Sequence, residues 1–541
     1  MNASSETECR DWLFHQGALL TRSRLQPLTG WVMPARVTVL AALLAVLTSC
    51  TNGGPARPVG YLQVDMGTAP TSLDPRIATD AISSRIDELI YDPMVKLDGN
   101  GQPRGDLAEW IERPDSTRLI FHLRRGVRFS TGGQLTARDV VYTYDSILDP
   151  AGHSTKAAGL RQMQSITARD DYTVEMTTRG PYAAALEMGT YDIIPYGSAL
   201  PGPAGALGPP GTGPFRPIGF EHDAVVVLTR NDYRRYSARA VPGIVFKIVP
   251  DATVRALELT EGICDFAEND AVQPDLIPFL AGQPDLRVSQ SPGLFFQYLA
   301  FNFRDARLRD LRLRRAIAFA IDRNAIVHSM LRDTARAATG MVPPENWAYE
   351  RNVPRYRYNP VEARHLLEAA GYSSDPARLE FVYKTTPEGR RLAEAIQAML
   401  QRVGIKLDIH TNEWATFYSD LRAGNFDLAA GQISALSPEE YFLFFDSRMV
   451  PPFGNDRGAY ANPEMDRLLE SAEVTLDVSR RRAIFSEVQR LAARDLPYVP
   501  LWWIDNVTVM TRRLDGFQPN PNGSLISLAA ASYLPGQAGK H

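Results

Sequence analysis

Leu379-Glu380-Phe381-Val382-Tyr383, the helical pattern around 388–403 and Lys406-Leu407-Asp408-Ile409-His410 read as strand, helix and strand. In the middle piece Leu392, Ile396, Met399, Leu400 and Val403 recur at helical spacing. Gly404 is placed to end that helix, because glycine accepts the left-handed backbone of a helix terminus. A unit of this length suits a parallel crossover, so the second half of the chain is expected to hold an α/β sheet. In open sheets of this kind ligands bind beyond the carboxyl ends of the strands. That points to residues 383–386 and to the segment 411–414.

The pattern extends outward from this unit. Leu313, Ile317, Ala320 and Ile321 fall on one helical face. Asn359-Pro360-Val361-Glu362 supplies an N-cap, a proline in the first turn and an acid, with Gly371 closing the helix, and the same start recurs at Asn462-Pro463. The first half reads differently. Short β-type runs at 61–66, 119–123, 174–176, 225–228 and 244–248 alternate with Gly-, Pro- and Asp-containing loops, with one helical stretch near 82–91. Residues 200–214, rich in Gly and Pro, are expected to form a loop crossing between domains.

Composition excludes several classes of function. The 541 residues are 44% hydrophobic and 22% charged, an ordinary globular balance. At about 100–200 residues per domain this length suggests three or four domain-sized units. A net charge of −4 offers nothing basic enough to track nucleic acid. The eight histidines are scattered away from metal-ligand spacing, so no metal site is expected. Gly208-Pro209-Pro210-Gly211-Thr212-Gly213 lacks a following Gly-Lys-Ser/Thr and leads into a strand, so it reads as a turn and not a phosphate loop. With no Gly-x-Ser-x-Gly elbow either, the chain is expected to be neither an enzyme nor a cofactor carrier.

The first fifty residues read as an export signal. Arg36 precedes an apolar run over 37–47 that is too short to span a bilayer, and Leu47-Thr48-Ser49-Cys50 follows. The latter resembles a bacterial lipoprotein box, which implies lipidation of Cys50 and removal of residues 1–49. Residues 1–32 fit no part of such a signal, so translation is expected to start at Met33. The small, polar segment 51–57 suits a flexible tether. Cys264 would then be the one thiol left in the folded body, expected as a small buried hydrophobe.

Further blocks carry a family resemblance. Gly211-Thr212-Gly213-Pro214-Phe215, Arg230-Asn231-Asp232-Tyr233, Phe301-Asn302, Asp310-Leu311-Arg312-Leu313-Arg314-Arg315-Ala316-Ile317 and Ile321-Asp322-Arg323 follow one another in order. Tyr358-Asn359-Pro360, Ala369-Ala370-Gly371-Tyr372 and Leu496-Pro497-Tyr498-Val499-Pro500-Leu501 continue the series. In order and spacing over roughly 61–516 the chain resembles the bacterial extracellular solute-binding proteins of family 5, the oligopeptide- and dipeptide-binding lipoproteins of ABC importers.

The resemblance implies a two-lobed, α/β, periplasmic-binding-protein-like fold of class II (cluster C) with an extra domain inserted in lobe one. Lobe one would comprise 58–82, 211–292 and 507–535, the extra domain 83–210 and lobe two 293–506. The lobes would close on a peptide or other small solute and deliver it to permease subunits driven by cytoplasmic ATPases. The protein would be a monomer, lipid-anchored outside the cytoplasm: in the periplasm at the outer membrane of a two-membrane cell, otherwise on the outer face of the cell membrane.

Expected ligand contacts are Thr68, Ala69, Phe295, Phe296, Tyr383, Lys384, Thr385, Trp414, Gln432, Ile433 and Ser434. Aligned on Pro438, the resemblance places Gly431 and Ser434 where peptide-binding members carry a tryptophan and an amine-binding aspartate. Tyr383, with Lys384 beside it, stands where a basic residue holds a peptide carboxylate. No counter-ion for an ammonium is then evident. That departure leaves open a blocked or modified peptide, an oligosaccharide, or a sensory or chaperone-like role on the same fold.

Overall fold

Two strands of unusual length, Leu286–Phe301 and Tyr498–Thr511, run side by side through the molecule. They belong to a computed structural model that describes residues 57–202, 205–234, 240–372, 376–434 and 437–535. The export signal, Met33, Cys50 and the tether up to residue 56 lie outside these residues. Among the described residues no helix is long and apolar enough to cross a membrane.

The two long strands pair antiparallel, and their register shifts between Ser291 and Phe295 and again between Gln297 and Tyr298. The first shift falls at Pro292-Gly293, where proline cannot donate to the ladder and a bulge relieves the pairing. On one flank of the pair lie Leu428–Ser434, Glu380–Thr385 and Lys406–Thr411; on the other lie Phe266–Glu268, Leu62–Met66, Gly243–Ile248, Val225–Arg230 and Phe215–Glu221. With Ala335–Ala337 paired to Tyr498–Thr511, this makes one eleven-stranded sheet. The sequence suggested a sheet for each half; the long strands join them.

In the second half Glu380–Thr385 pairs parallel with Lys406–Thr411 through the helix Arg390–Gln401, as the crossover pattern requires. Ala393, Ile396 and Leu400 turn inward from that helix, and Gly404 takes φ +93° past its end. The helix Pro360–Ala369 begins where expected: Asn359 Oδ1 accepts the N–H of Glu362 at 3.1 Å. Asn462 caps Pro463–Val474 by the same chemistry. Trp502 and Trp503 are core residues, and each indole N–H is satisfied, by Gln297 Oε1 at 2.8 Å and by the Met341 carbonyl at 3.2 Å.

In the first half a four-stranded sheet of Ala108–Glu112, Arg118–Leu123, Thr173–Thr178 and Met163–Asp170 stands apart from the main sheet. It packs on the helix Ala137–Leu148 around its own core, which includes Phe121, Phe129 and Tyr144. Cys264 is fully buried and free, its Sγ 3.2 Å from the Phe266 carbonyl.

Candidate functional site

Pairing of Leu286–Phe301 with Leu428–Ser434 sets Phe295 opposite Ser434, Phe296 opposite Ile433, Gln297 opposite Gln432 and Tyr298 opposite Gly431. Five of the expected contact residues therefore meet on two adjacent strands, but Phe296 is fully buried and is corrected from ligand contact to core. Alternate residues share a face, so Phe296 and Tyr298 project with Ile433 and Gly431. Gly431 is constrained by that neighbour: a Cβ there would lie 2.2 Å from Cζ of Tyr298. The volume that a tryptophan would occupy is filled from the next strand by a tyrosine.

Around this wall the rings form a network. Phe296 and Tyr298 stack with centroids 5.6 Å apart, and Tyr298 meets Phe444 edge-on at 6.3 Å and Tyr498 at 5.6 Å. Behind them is a cavity of about 30 Å3 that Asp456 also lines. Asp456 is buried, and burial pushes its carboxyl up to about 7 despite the N–H it accepts from Tyr460.

Beyond Ser434 the chain reaches residues 437–440, which face the turn Ala183–Thr190 of the small-sheet region. Ser437 Oγ donates to Glu187 at 3.2 Å, and Glu439 is ion-paired with Arg481. The Glu440 carboxyl forms no hydrogen bond or ion pair among the described residues, while its backbone N–H donates to the Ser437 carbonyl at 3.3 Å. That carboxyl keeps partial contact with solvent, and burial, reinforced by the charge of Glu439, pushes it up to about 7. Burial likewise raises Glu187 and Glu439, while Arg481 pulls both back. Ser434 itself carries no carboxylate, and Glu187, Glu439 and Glu440 follow in the segment beyond it and the turn that segment meets. Their burial was not legible in the sequence, because depth arises from packing between distant segments.

The remaining expected contacts lie elsewhere. Lys384 pairs with Ala429, five residues before Ser434, or about 16 Å along the strand at ~3.3 Å per residue. Its ammonium is held by Asp420 at 3.1 Å, an acid that also accepts from Asn412. Tyr383 is corrected from ligand contact to core: it packs with Phe381 and Leu428 and is 2% exposed. Its side chain points opposite to that of Lys384, as strand alternation demands. Thr385 is fully buried. Trp414 opens the helix Trp414–Ala423, is largely exposed and stacks on Tyr418. Thr68 and Ala69 follow the strand Leu62–Met66, with Thr68 exposed. Among the described residues no group of three His, Cys, Asp or Glu side chains is placed to hold a metal ion.

The family described as bacterial extracellular solute-binding proteins, family 5 Middle, matches residues 102–447. The chain is 26% identical over 509 residues to the probable D,D-dipeptide-binding periplasmic protein DdpA of Escherichia coli, covering 90% of this chain and 96% of that one. It superimposes with a TM-score of 0.75 on DppA of Helicobacter pylori in complex with the peptide STSA, at 24% identity over 87% of this chain and 98% of that one. NikA of Brucella suis in complex with Fe(III)-EDTA gives a TM-score of 0.80 at 22% identity, over 88% of this chain and all of that one.

Proposed function

The chain belongs to family 5 of the bacterial extracellular solute-binding proteins, and from that premise we propose that it captures peptides between two closing lobes and hands them to an ABC importer. The observation that carries this reading is the family match over residues 102–447, supported by the register that brings Phe295, Gln432 and Ser434 to one face of two adjacent strands. These three, with Ile433 between them on the strand and Thr68 and Ala69 in the loop after Leu62–Met66, are the proposed contact set. Closure follows from the ligand's higher affinity for the closed arrangement.

Lobe one is read as 58–82, 211–292 and 507–535, the extra domain as 83–210 and lobe two as 293–506. The register shift at Ser291/Phe295 supports the boundary, because a bulge is where paired strands bend most readily. The protein acts without catalysis, as a monomer outside the cytoplasm, starting from Met33 and held to the membrane by lipid on Cys50 after removal of its signal. Support for the anchor is the apolar run and the Leu47-Thr48-Ser49-Cys50 box alone.

Gly431 and Ser434 favour a second reading, in which the same cleft takes a solute without a free amino terminus. Native mass spectrometry of the mature chain, purified from its own host or exposed to mixed peptides and sugars, tests both. A retained peptide mass is the expected result. A neutral or sugar mass with no peptide shift would replace the first reading by the second.

A further inference from the structure

Arg85 carries a buried guanidinium for which the fold supplies no partner. The residue belongs to the helix Ala81–Ile90 and is 6% exposed. Its guanidinium makes no hydrogen bond or ion pair among the described residues, and Nη2 is buried with its protons unused. Arg76 and Arg314, equally deep, are provided for: the first by the Asp74 carboxylate and the Ala199 carbonyl, the second by the carbonyls of Leu308, Asp495 and Leu496. An uncompensated buried charge is costly, so Arg85 calls for a counter-ion from outside the fold. Glu88, one turn further along the helix, is within electrostatic reach but forms no ion pair with it. Burial raises the Glu88 carboxyl, which accepts instead from the Ser524 hydroxyl.

Two observations tie this guanidinium to the solute face. Its Cζ lies 5.9 Å from the centre of the Phe295 ring, and Phe295 shares a face with Ser434 and Gln432 across the strand pair. Phe295 is half-buried while Gln432 and Ser434 are exposed, so that face meets solvent. The second observation is a gathering of donors beside Gly523. A Cβ there would come 3.4 Å from Arg85 Nη2, 3.5 Å from Arg85 Nε and 3.2 Å from Asn269 Nδ2, so the three nitrogens border one spot. Asn269 Nδ2 donates to Glu268 at 3.3 Å and has a second proton to give. The adjoining loop is tied to both long strands, since the Leu294 N–H and Asn506 Nδ2 donate to the Pro521 carbonyl at 3.1 and 3.0 Å.

We propose that Arg85 binds a carboxylate of the solute, so that the cleft at Phe295 and Ser434 takes the anionic end of its ligand. This rests on the face of Phe295, Gln432 and Ser434 being the solute site. The planar fork of a guanidinium matches two carboxylate oxygens, and the Phe295 ring offers an apolar flank to the adjoining carbons. The polarity is the reverse of the one that an aspartate at position 434 would give. Lys384 does not compete for the role, since Asp420 already holds its ammonium.

The test is native mass spectrometry of the protein as processed by the cell, with the tripeptide Ala-Phe-Ala offered as free acid and as C-terminal amide in competition. We expect the acid to be retained about ten-fold over the amide, a preference that vanishes in Arg85→Gln and falls about three-fold in Arg85→Lys, which keeps the charge but lacks the fork. Arg85→Lys carries the comparison if Arg85→Gln does not fold. Equal retention of acid and amide by the unaltered protein would overturn the carboxylate site and leave peptide capture standing. An undiminished preference in either folded variant would overturn it too. Retention of neither peptide would sink peptide capture, and saturation-transfer NMR with acetate and acetamide then decides the site alone. An acetate signal above that of acetamide, lost in Arg85→Gln, supports it; equal signals in the unaltered protein refute it.

Discussion

Tyr298 and Gly431 show how one residue sets the character of the proposed site. A tryptophan at 431 would need the space that the Tyr298 ring fills, and even a methyl group is excluded by the 2.2 Å approach. Gly431→Ala is therefore expected to destabilise the protein by about 1–3 kcal/mol, the usual cost of forcing volume into a packed region. Urea unfolding would measure it, and in a Tyr298→Ala background the same change should cost little further, because the clash partner is gone. The glycine and the serine at 434 were visible in the sequence. That a tyrosine two positions from Phe296 fills the space beside Gly431 depends on cross-strand register, which no single stretch of sequence states.

Elements were the most legible level. The strand, helix and strand around 379–410 are found as Glu380–Thr385, Arg390–Gln401 and Lys406–Thr411, because 3.6-residue and two-residue periodicities follow from local geometry. Asn359-Pro360 forms the cap its chemistry predicts. Asn359→Ala should cost about 1 kcal/mol by orphaning the Glu362 N–H, a loss readable as a lower urea midpoint with unchanged slope, while solute binding stays as it was. The expected contacts at the strand ends fared less well. Tyr383 turns into the core and Lys384 is already paired with Asp420, since the rule that ligands bind beyond strand termini chooses a sheet edge and not a side-chain direction.

At the scale of the whole molecule, the two long strands make one sheet of what the sequence presents as separate units, and sparse polar contacts bridge across it. Asp275 accepts ion pairs from both Arg332 and Arg391, well separated from it in the chain. Packing these layers buries carboxylates that would be surface groups in isolation. Burial raises Asp192, Glu440 and Asp456 to about 7, against about 4 in an unfolded chain. The folded state thus holds more protons between those values, so stability present below pH ~4 is lost as pH rises through about 7 and then levels off. A thermal-unfolding series is expected to show a higher midpoint at pH 5.5 than at pH 8, with a shallower slope in Glu440→Gln; a midpoint rising steadily toward pH 8 would contradict it. The sequence by itself determined the α/β class, the helix caps and the solute-binding family, because periodicity, capping chemistry and ordered motif blocks are local. Only the tertiary structure decided which acids are buried, which aromatic ring fills the space beside Gly431 and which lysine is already paired, because depth, register and charge neighbours arise between segments far apart in the chain.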